Sequence, residues 1–332
     1  MVIGPASHPL LPARDHLASI AWLDRAILMF GPRKAGTTLF QNLLDGSDEV
    51  LVYPAELKLK HFVRTLRHRN SAASYLERSL VPRVNSSRFS VDRYRALWSD
   101  ALALDRRWPI GDLIRFDAWC VSQATDRPPV RLSMWCAKEV GGGGHRDILA
   151  FWRRVFTPGK ALFVVRDPSA VTRAVLNERR RKGRELSAAE IVHETLAPLR
   201  VMRRQSRYIN DPDVHFTAFE DIVADPQREM AMVAAFLGIE PTSAFARPSV
   251  FGEPVVVRTA SRPTMEVFRS DASWREGLTR REQRIASAAM RTAALVPWLA
   301  LDYEALRARI ADTRQKQRET SGIGLAASGS PR

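Results

Sequence analysis

The sequence predicts an α/β fold of three layers, α/β/α, with a central parallel sheet and one helical insertion. Three observations predict it. Short apolar runs, "AILMF", "VLVYP" and "LFVV", alternate with stretches of helical periodicity. Those runs are apolar on both faces, as strands of a parallel sheet covered on both sides must be. The first run opens into "GPRKAGTT", a glycine-bounded turn leading into a helix, which makes the fold P-loop-NTPase-like.

The elements follow in order. Residues 1–22 read as an irregular leader, and 23–312 as one domain. Ala26–Phe30 is the first strand and Thr37–Gly46 the helix opened by the turn. Val50–Pro54 is a second strand, stopped by its proline. Residues 57–130 have mostly helical spacing and few β runs, which predicts a helical insertion over the substrate side. Arg131–Lys138 is a third strand, followed by the loop "EVGGGGH". Lys160–Pro168 is the clearest strand; its Asp-Pro starts a basic helix to about Arg184, and another helix runs from about Ser187 to Asn210. Asp213–Ile222 is a fifth strand, and Pro226–Ile239 a helix with proline in its first turn and Gly238 at its end. Loops fill 241–272, with a short strand at 255–257; helix returns over 277–310, and 313–332 is a disordered tail rich in Ser, Gly and Gln.

Composition narrows the function. The chain of 332 residues is 45% hydrophobic, ample for a sizeable core, and carries a net charge of +15. Only seven of its 51 basic residues are lysine, so the charge is an arginine excess. It suits anionic ligands or a peripheral contact with a membrane surface. No nucleic-acid motif accompanies it. Cys120 and Cys136 form neither a metal-ligand pattern nor a disulfide framework. With no signal peptide and no apolar run of membrane-spanning length, the expectation is a cytoplasmic protein of open oligomeric state.

In an α/β sheet, ligands gather at the carboxyl ends of the strands. The first loop, the Tyr53–Lys60 segment, the loop after Lys138 and Arg166 all fall at that edge. Gly31 and Gly36 permit a tight turn, and backbone amides before a helix N-terminus make an anion site that Thr37 and Thr38 can join. In the nucleoside-triphosphate version of this loop a lysine follows the second glycine directly. Here Thr37 holds that place and the cations stand upstream, at Arg33 and Lys34. "FVVRDP" ends on Arg166 where a metal-binding carboxylate would be expected. The expected chemistry therefore requires no metal.

Taken together, "GPRKAGTTLFQNLLDGSDEV" with "YPAELKLKHF", "LFVVRDPSAVTRAV" and "FTAFEDIVADPQREMAMVAAFLGI" resemble, in order and spacing over about residues 24–300, the sulfotransferases that use 3′-phosphoadenosine 5′-phosphosulfate (PAPS). The glutamate after the second strand resembles the glycan and small bacterial branches more than the aryl branch. The resemblance implies that Arg33, Lys34, Ala35, Gly36, Thr37 and Thr38 hold the 5′-phosphosulfate. It implies that Lys34 stabilises the oxygen bridging phosphate and sulfur, and that Glu56 removes the acceptor's proton. It also implies that Lys138 touches the sulfuryl group, and that Arg166, with Arg258 or Arg262 of the C-terminal loop, binds the 3′-phosphate. Two positions depart from the family pattern: Ala174 replaces a serine eight residues after the arginine, and "CAKEV" lacks the Thr-Pro that usually follows the lysine. The implied partners are the nucleotide donor and a saccharide, glycolipid or small-metabolite acceptor bearing a hydroxyl or, less favoured, an amine.

Competing readings attach to several residues. Lys58 is a surface or substrate contact, and His61 a rival base or a surface histidine. Glu56 could instead pair with Lys58 or Lys60, and Arg166 with Glu220 or Asp221. "ERRRKGR" is a solvated helix end or a basic rim for an anionic acceptor. Trp98, Trp108 and Trp119 are core residues or a sugar-stacking platform. For the whole chain the rivals are an ATP-dependent P-loop kinase and a non-catalytic basic nucleotide-binding protein.

Overall fold

The computed structural model describes residues 17, 19–57, 59, 86–103, 110–126, 130–141, 148–255, 257–258, 263–264 and 277–321. Five strands form one parallel sheet: β1 Ala26–Gly31, β2 Val50–Glu56, β3 Met134–Val140, β4 Lys160–Val165 and β5 Val214–Ala218, in the order β2-β3-β1-β4-β5. Strand β1 is central, with Gly31 beside Val140 of β3 and Phe30 beside Phe163 of β4.

Alternate strand residues enter two cores. Leu28, Phe30, Leu51, Tyr53, Trp135, Phe163 and Phe216 face one side. They pack on α1 (Ala21–Asp24), α3 (Val91–Ala103), α4 (Ile110–Ala124), α5 (Ile148–Val155) and later α11 (Tyr303–Ser321). Ile27, Met29, Val52, Cys136, Leu162 and Val164 face the other side, against α2 (Thr37–Leu44) and α9 (Pro226–Leu237), through Phe40, Leu43, Met230 and Leu237. This is the three-layer α/β/α architecture read from the sequence. Helix α6 (Pro168–Arg181) follows the carboxyl end of β4, α7 (Ala188–Gln205) packs on both α6 and α10 (Arg280–Ala294), and α8 (Phe219–Ala224) follows β5 directly.

Several boundaries move. Pro54 does not stop β2, which runs on to Glu56. The strand lies at the sheet's edge, where a missing N–H costs no ladder bond, and its register to β3 shifts between Val52 and Glu56. The fifth strand ends at Ala218 rather than Ile222, because Phe219–Ala224 turns helical with Glu220 and Asp221 in the first turn. Within the expected leader, Leu17 is buried and Ala21 begins a helical turn. The helix expected over 277–310 is two, α10 and α11, parted by a break that contains Pro297. The second runs to Ser321, so 313–321 is helix rather than tail. Of the insertion, α3 and α4 are described and are helical. No described helix is long and apolar enough to cross a membrane.

Candidate active site

Strand β1 delivers the chain into the loop at the carboxyl edge. Lys34 at φ 64° and Gly36 at φ 100° both adopt left-handed backbone, and these two reversals fold the turn. A Cβ at Gly36 would lie 2.1 Å from the Phe219 ring, so only glycine fits there. Ala35 is fully buried beneath the turn. Helix α2 then starts with Gly36 as its cap, a residue with no side chain to bond the helix's first amides. Helices α6, α7, α9 and α10 are by contrast closed by Asp167, Ser187, Asp225 and Thr279. The loop thus leaves its helix N-terminus open to an external anion.

The two strands beside β1 bring up the rest of the site. Glu56, the last residue of β2, is in register with Lys138 of β3, and the Leu57 N–H donates to the Lys138 carbonyl at 2.8 Å. Lys138 is buried and its Nζ donates to Thr38 Oγ1 at 2.9 Å. Thr38 is itself exposed, whereas Thr37 is buried. Glu56, Lys138 and Thr38 therefore gather on one side of the loop. The Gly141 N–H closes the arrangement by donating to the Gly31 carbonyl at 2.9 Å.

On the other side, Arg166 follows β4. Its Nη1 donates to the Lys34 carbonyl at 2.9 Å and its guanidinium stacks 4.1 Å from the Phe219 ring centroid. Burial pulls its pKa below the usual arginine value, against the opposing charge of Glu220. Nε is buried with no hydrogen-bond partner among the described residues. The alternative partner, Glu220, is engaged elsewhere: it accepts from the Asp167 N–H and the Tyr303 hydroxyl. Thr172, one turn into α6, is fully buried and bonded to the Pro168 carbonyl.

The loop cations point toward α6. Arg33 Nη2 lies 2.6 Å from Glu178 Oε2, and Lys34 Nζ lies 3.2 Å from the same oxygen. Arg33 also reaches Glu194 of α7 at 3.6 Å. Burial pushes the Glu178 carboxyl up, but Lys182, Lys34 and Arg33 outweigh it and hold its pKa down at about 2. The "ERRRKGR" run is largely ion-paired: Arg179 to Glu194, Lys182 to Glu178, Arg184 to Glu190.

Trp98 and Trp119 are buried core side chains rather than a stacking platform. Trp98 Nε1 and the Tyr94 hydroxyl both donate to the buried Asp117 carboxylate. Arg258 belongs to a two-residue strand, Val257–Arg258, paired antiparallel with Pro263–Thr264. Lys58, Lys60, His61, Trp108, His145 and Arg262 lie outside the described residues.

Sequence reasoning missed two groups. Glu139, buried on β3, accepts the Leu59 N–H at 2.9 Å and so fixes the chain just after Glu56. The signal was a Lys-Glu pair inside an otherwise apolar strand, since buried charge needs a purpose. Glu178 was hidden in a run of arginines, where a carboxylate reads as a surface pair, and nothing in "IVHETLAPLR" marks Glu194.

Residues 26–243, well over half the chain, match the sequence model of the sulfotransferase family. No curated protein matches the chain in sequence. Among solved structures, the chain is similar to the sulfotransferase domain from the curacin biosynthetic pathway (17% identity, 79% of this chain and 96% of that one, TM-score 0.48). It is similar to the sulfotransferase domain of the Synechococcus PCC 7002 olefin synthase (19% identity, 91% and 95%, TM-score 0.46). A third similarity is to a retinol dehydratase in complex with retinol and PAP (13% identity, 88% and 84%, TM-score 0.42).

Proposed function

The chain belongs to the sulfotransferase family, and from that premise we propose that it moves a sulfuryl group from PAPS to a hydroxyl of a saccharide, glycolipid or small-metabolite acceptor. The observation that carries this reading is the N-terminus of α2 behind "GPRKAGTT", a helix start whose cap is a glycine with no side chain to close it and which is flanked by Arg33, Lys34 and Thr38. Such a site fits the 5′-phosphosulfate. The buried Nε of Arg166, which has no partner among the described residues, fits an additional acceptor atom on the same ligand, and we assign the 3′-phosphate to that side, with Arg258 and Arg262 as further candidates.

The chemistry follows from the two sides of the loop. The acceptor oxygen attacks sulfur in line, and the bond between sulfur and the bridging phosphate oxygen breaks. The acceptor's proton passes to Glu56, and the negative charge left on the bridging oxygen is neutralised by Lys34. Lys138, held by Thr38 beside Glu56, supports the equatorial sulfuryl oxygens. Positioning and charge stabilisation carry the reaction, as in phosphoryl transfer.

The experiment is sulfate transfer from labelled PAPS across a panel of acceptors, with Glu56→Gln alongside. A loss of about 10²–10⁴-fold in kcat is expected for that variant. Unchanged transfer would remove Glu56 from its role. Thermal stabilisation by ATP with Mg²⁺ but not by PAP would replace the whole reading with the kinase.

A further inference from the structure

Two adjacent cations in one tight loop repel each other, and an anion between them relieves the repulsion. In this chain the anion is Glu178. Arg33 and Lys34 converge on a single carboxylate oxygen, Oε2, at 2.6 and 3.2 Å, while Oε1 is held by Lys182 at 2.8 Å. The Glu178 side chain is only 18% exposed, against 37% for Lys34 and 34% for Arg33. The fixed member of the cluster is the carboxylate, and the loop cations have room to leave it. Glu178 lies one helical turn after Ala174, so the two share a face of α6. Ala174 has no polar group, and the side chain that reaches the loop cations from this face is Glu178.

We propose that Glu178 is an internal stand-in for the donor's anionic group: it holds Lys34 and Arg33 when no nucleotide is bound, and binding is an exchange of partners in which these cations leave Glu178 for the phosphosulfate. Glu178 is a positioning residue acting through Lys34 and Arg33. It lowers nucleotide affinity by competing for the cations, and it hastens release of the bisphosphate product by taking them back. The inference rests on the assignment of the loop to PAPS.

The test is calorimetric titration of the full chain with PAP, comparing wild type, Glu178→Gln and Glu190→Gln. Glutamine keeps the shape and removes the charge. Glu190 is a control carboxylate one turn before Glu194 on α7, paired with Arg184 rather than with the loop. The expected result is a Kd about threefold to fivefold lower in Glu178→Gln, the upper scale of one partly exposed ion pair. The expected change in Glu190→Gln is less than about twofold. In steady state, Glu178→Gln should lower KM for the donor and lower or leave kcat, a split that a merely structural role would not produce. Equal or weaker PAP binding by Glu178→Gln overturns the inference, as does equal tightening in Glu190→Gln. A wild-type protein that binds no PAP overturns the assignment of the loop itself.

Discussion

Two ion-pair clusters in this molecule use similar residues to opposite ends. At the carboxyl edge, Arg33 and Lys34 meet Glu178 with each cation more than a third exposed or nearly so. On the far flank of the sheet, Arg314 of α11 bonds Glu229 of α9 and reaches Asp221 of α8 at 3.5 Å, with side-chain exposures of 10% for the arginine and 6% for Glu229. Arg307, two turns earlier on the same face of α11, bonds Asp221 at 2.7 Å. The second cluster locks the last helix onto α8 and α9 beside the edge strand β5, where Leu306 and Ile310 enter the core. The first cluster can change partners because water can replace each lost contact; the second cannot, because a lone charge there would be stranded. Between these two clusters, burial rather than residue type separates the exchangeable cations from the locked one.

The largest expected effect tests the exchangeable side. Lys34→Ala should lower kcat for sulfate transfer by about 10²–10³-fold, the loss of one charge-stabilising group, with the melting temperature nearly unchanged. A variant that transfers sulfate within a few-fold of wild type would mean that Lys34 is as structural as Arg314. The converse variant, Arg314→Leu, should cost about 3 kcal/mol of stability by leaving Glu229 buried and unpaired; denaturant unfolding would read it. Its PAP affinity should not move, and a selective loss of nucleotide binding would break the comparison.

A third buried charge sharpens the point. Asp117 sits in α4, bonded to Tyr94 and Trp98, with no cation on it among the described residues. Burial raises its pKa to about 6, those hydrogen bonds only partly opposing. A raised carboxyl pKa means that the folded chain binds more protons than the unfolded one between about pH 4 and 6. This group therefore removes stability as pH rises through that window, by up to about 1.4 kcal/mol per pH unit. Asp117→Asn should flatten this part of the stability profile; a profile parallel to wild type would show that Asp117 is not the buried acid responsible. The smallest effect belongs to the outermost partner. Lys182, 62% exposed against Glu178, should change stability by less than about 0.5 kcal/mol when replaced by Gln, and a larger shift in the melting curve would argue that the Glu178 cluster is structural.

The sheet was legible because its strands are buried on both faces, so apolar runs mark them without ambiguity. The loop was legible because a left-handed turn before a helix needs glycine, and an anion site needs the cations and threonines beside it. What the sequence concealed were the pairings. Pro54 reads as a stop until β2 is known to be an edge strand. Glu139 reads as a loop residue until Leu59 is known to fold back on it. Glu178 sits in a run of arginines, and nothing local shows that its partner is 144 positions earlier in the chain, at Lys34. Spacing along an element is written in the sequence; contact between elements depends on how the layers close.

The strand order β2-β3-β1-β4-β5 has a consequence for how such a chain can diversify. Everything assigned to the nucleotide's 3′-phosphate side comes from β4 and the chain beyond it. The proposed base, its buried lysine partner and the long β2–β3 connection lie across β1. Only the central strand and its loop belong to both halves. A lineage could therefore lengthen, shorten or rewrite the β2–β3 connection to accept new molecules while the reagent-handling half is inherited intact, much as a tool keeps its handle while its bit is changed.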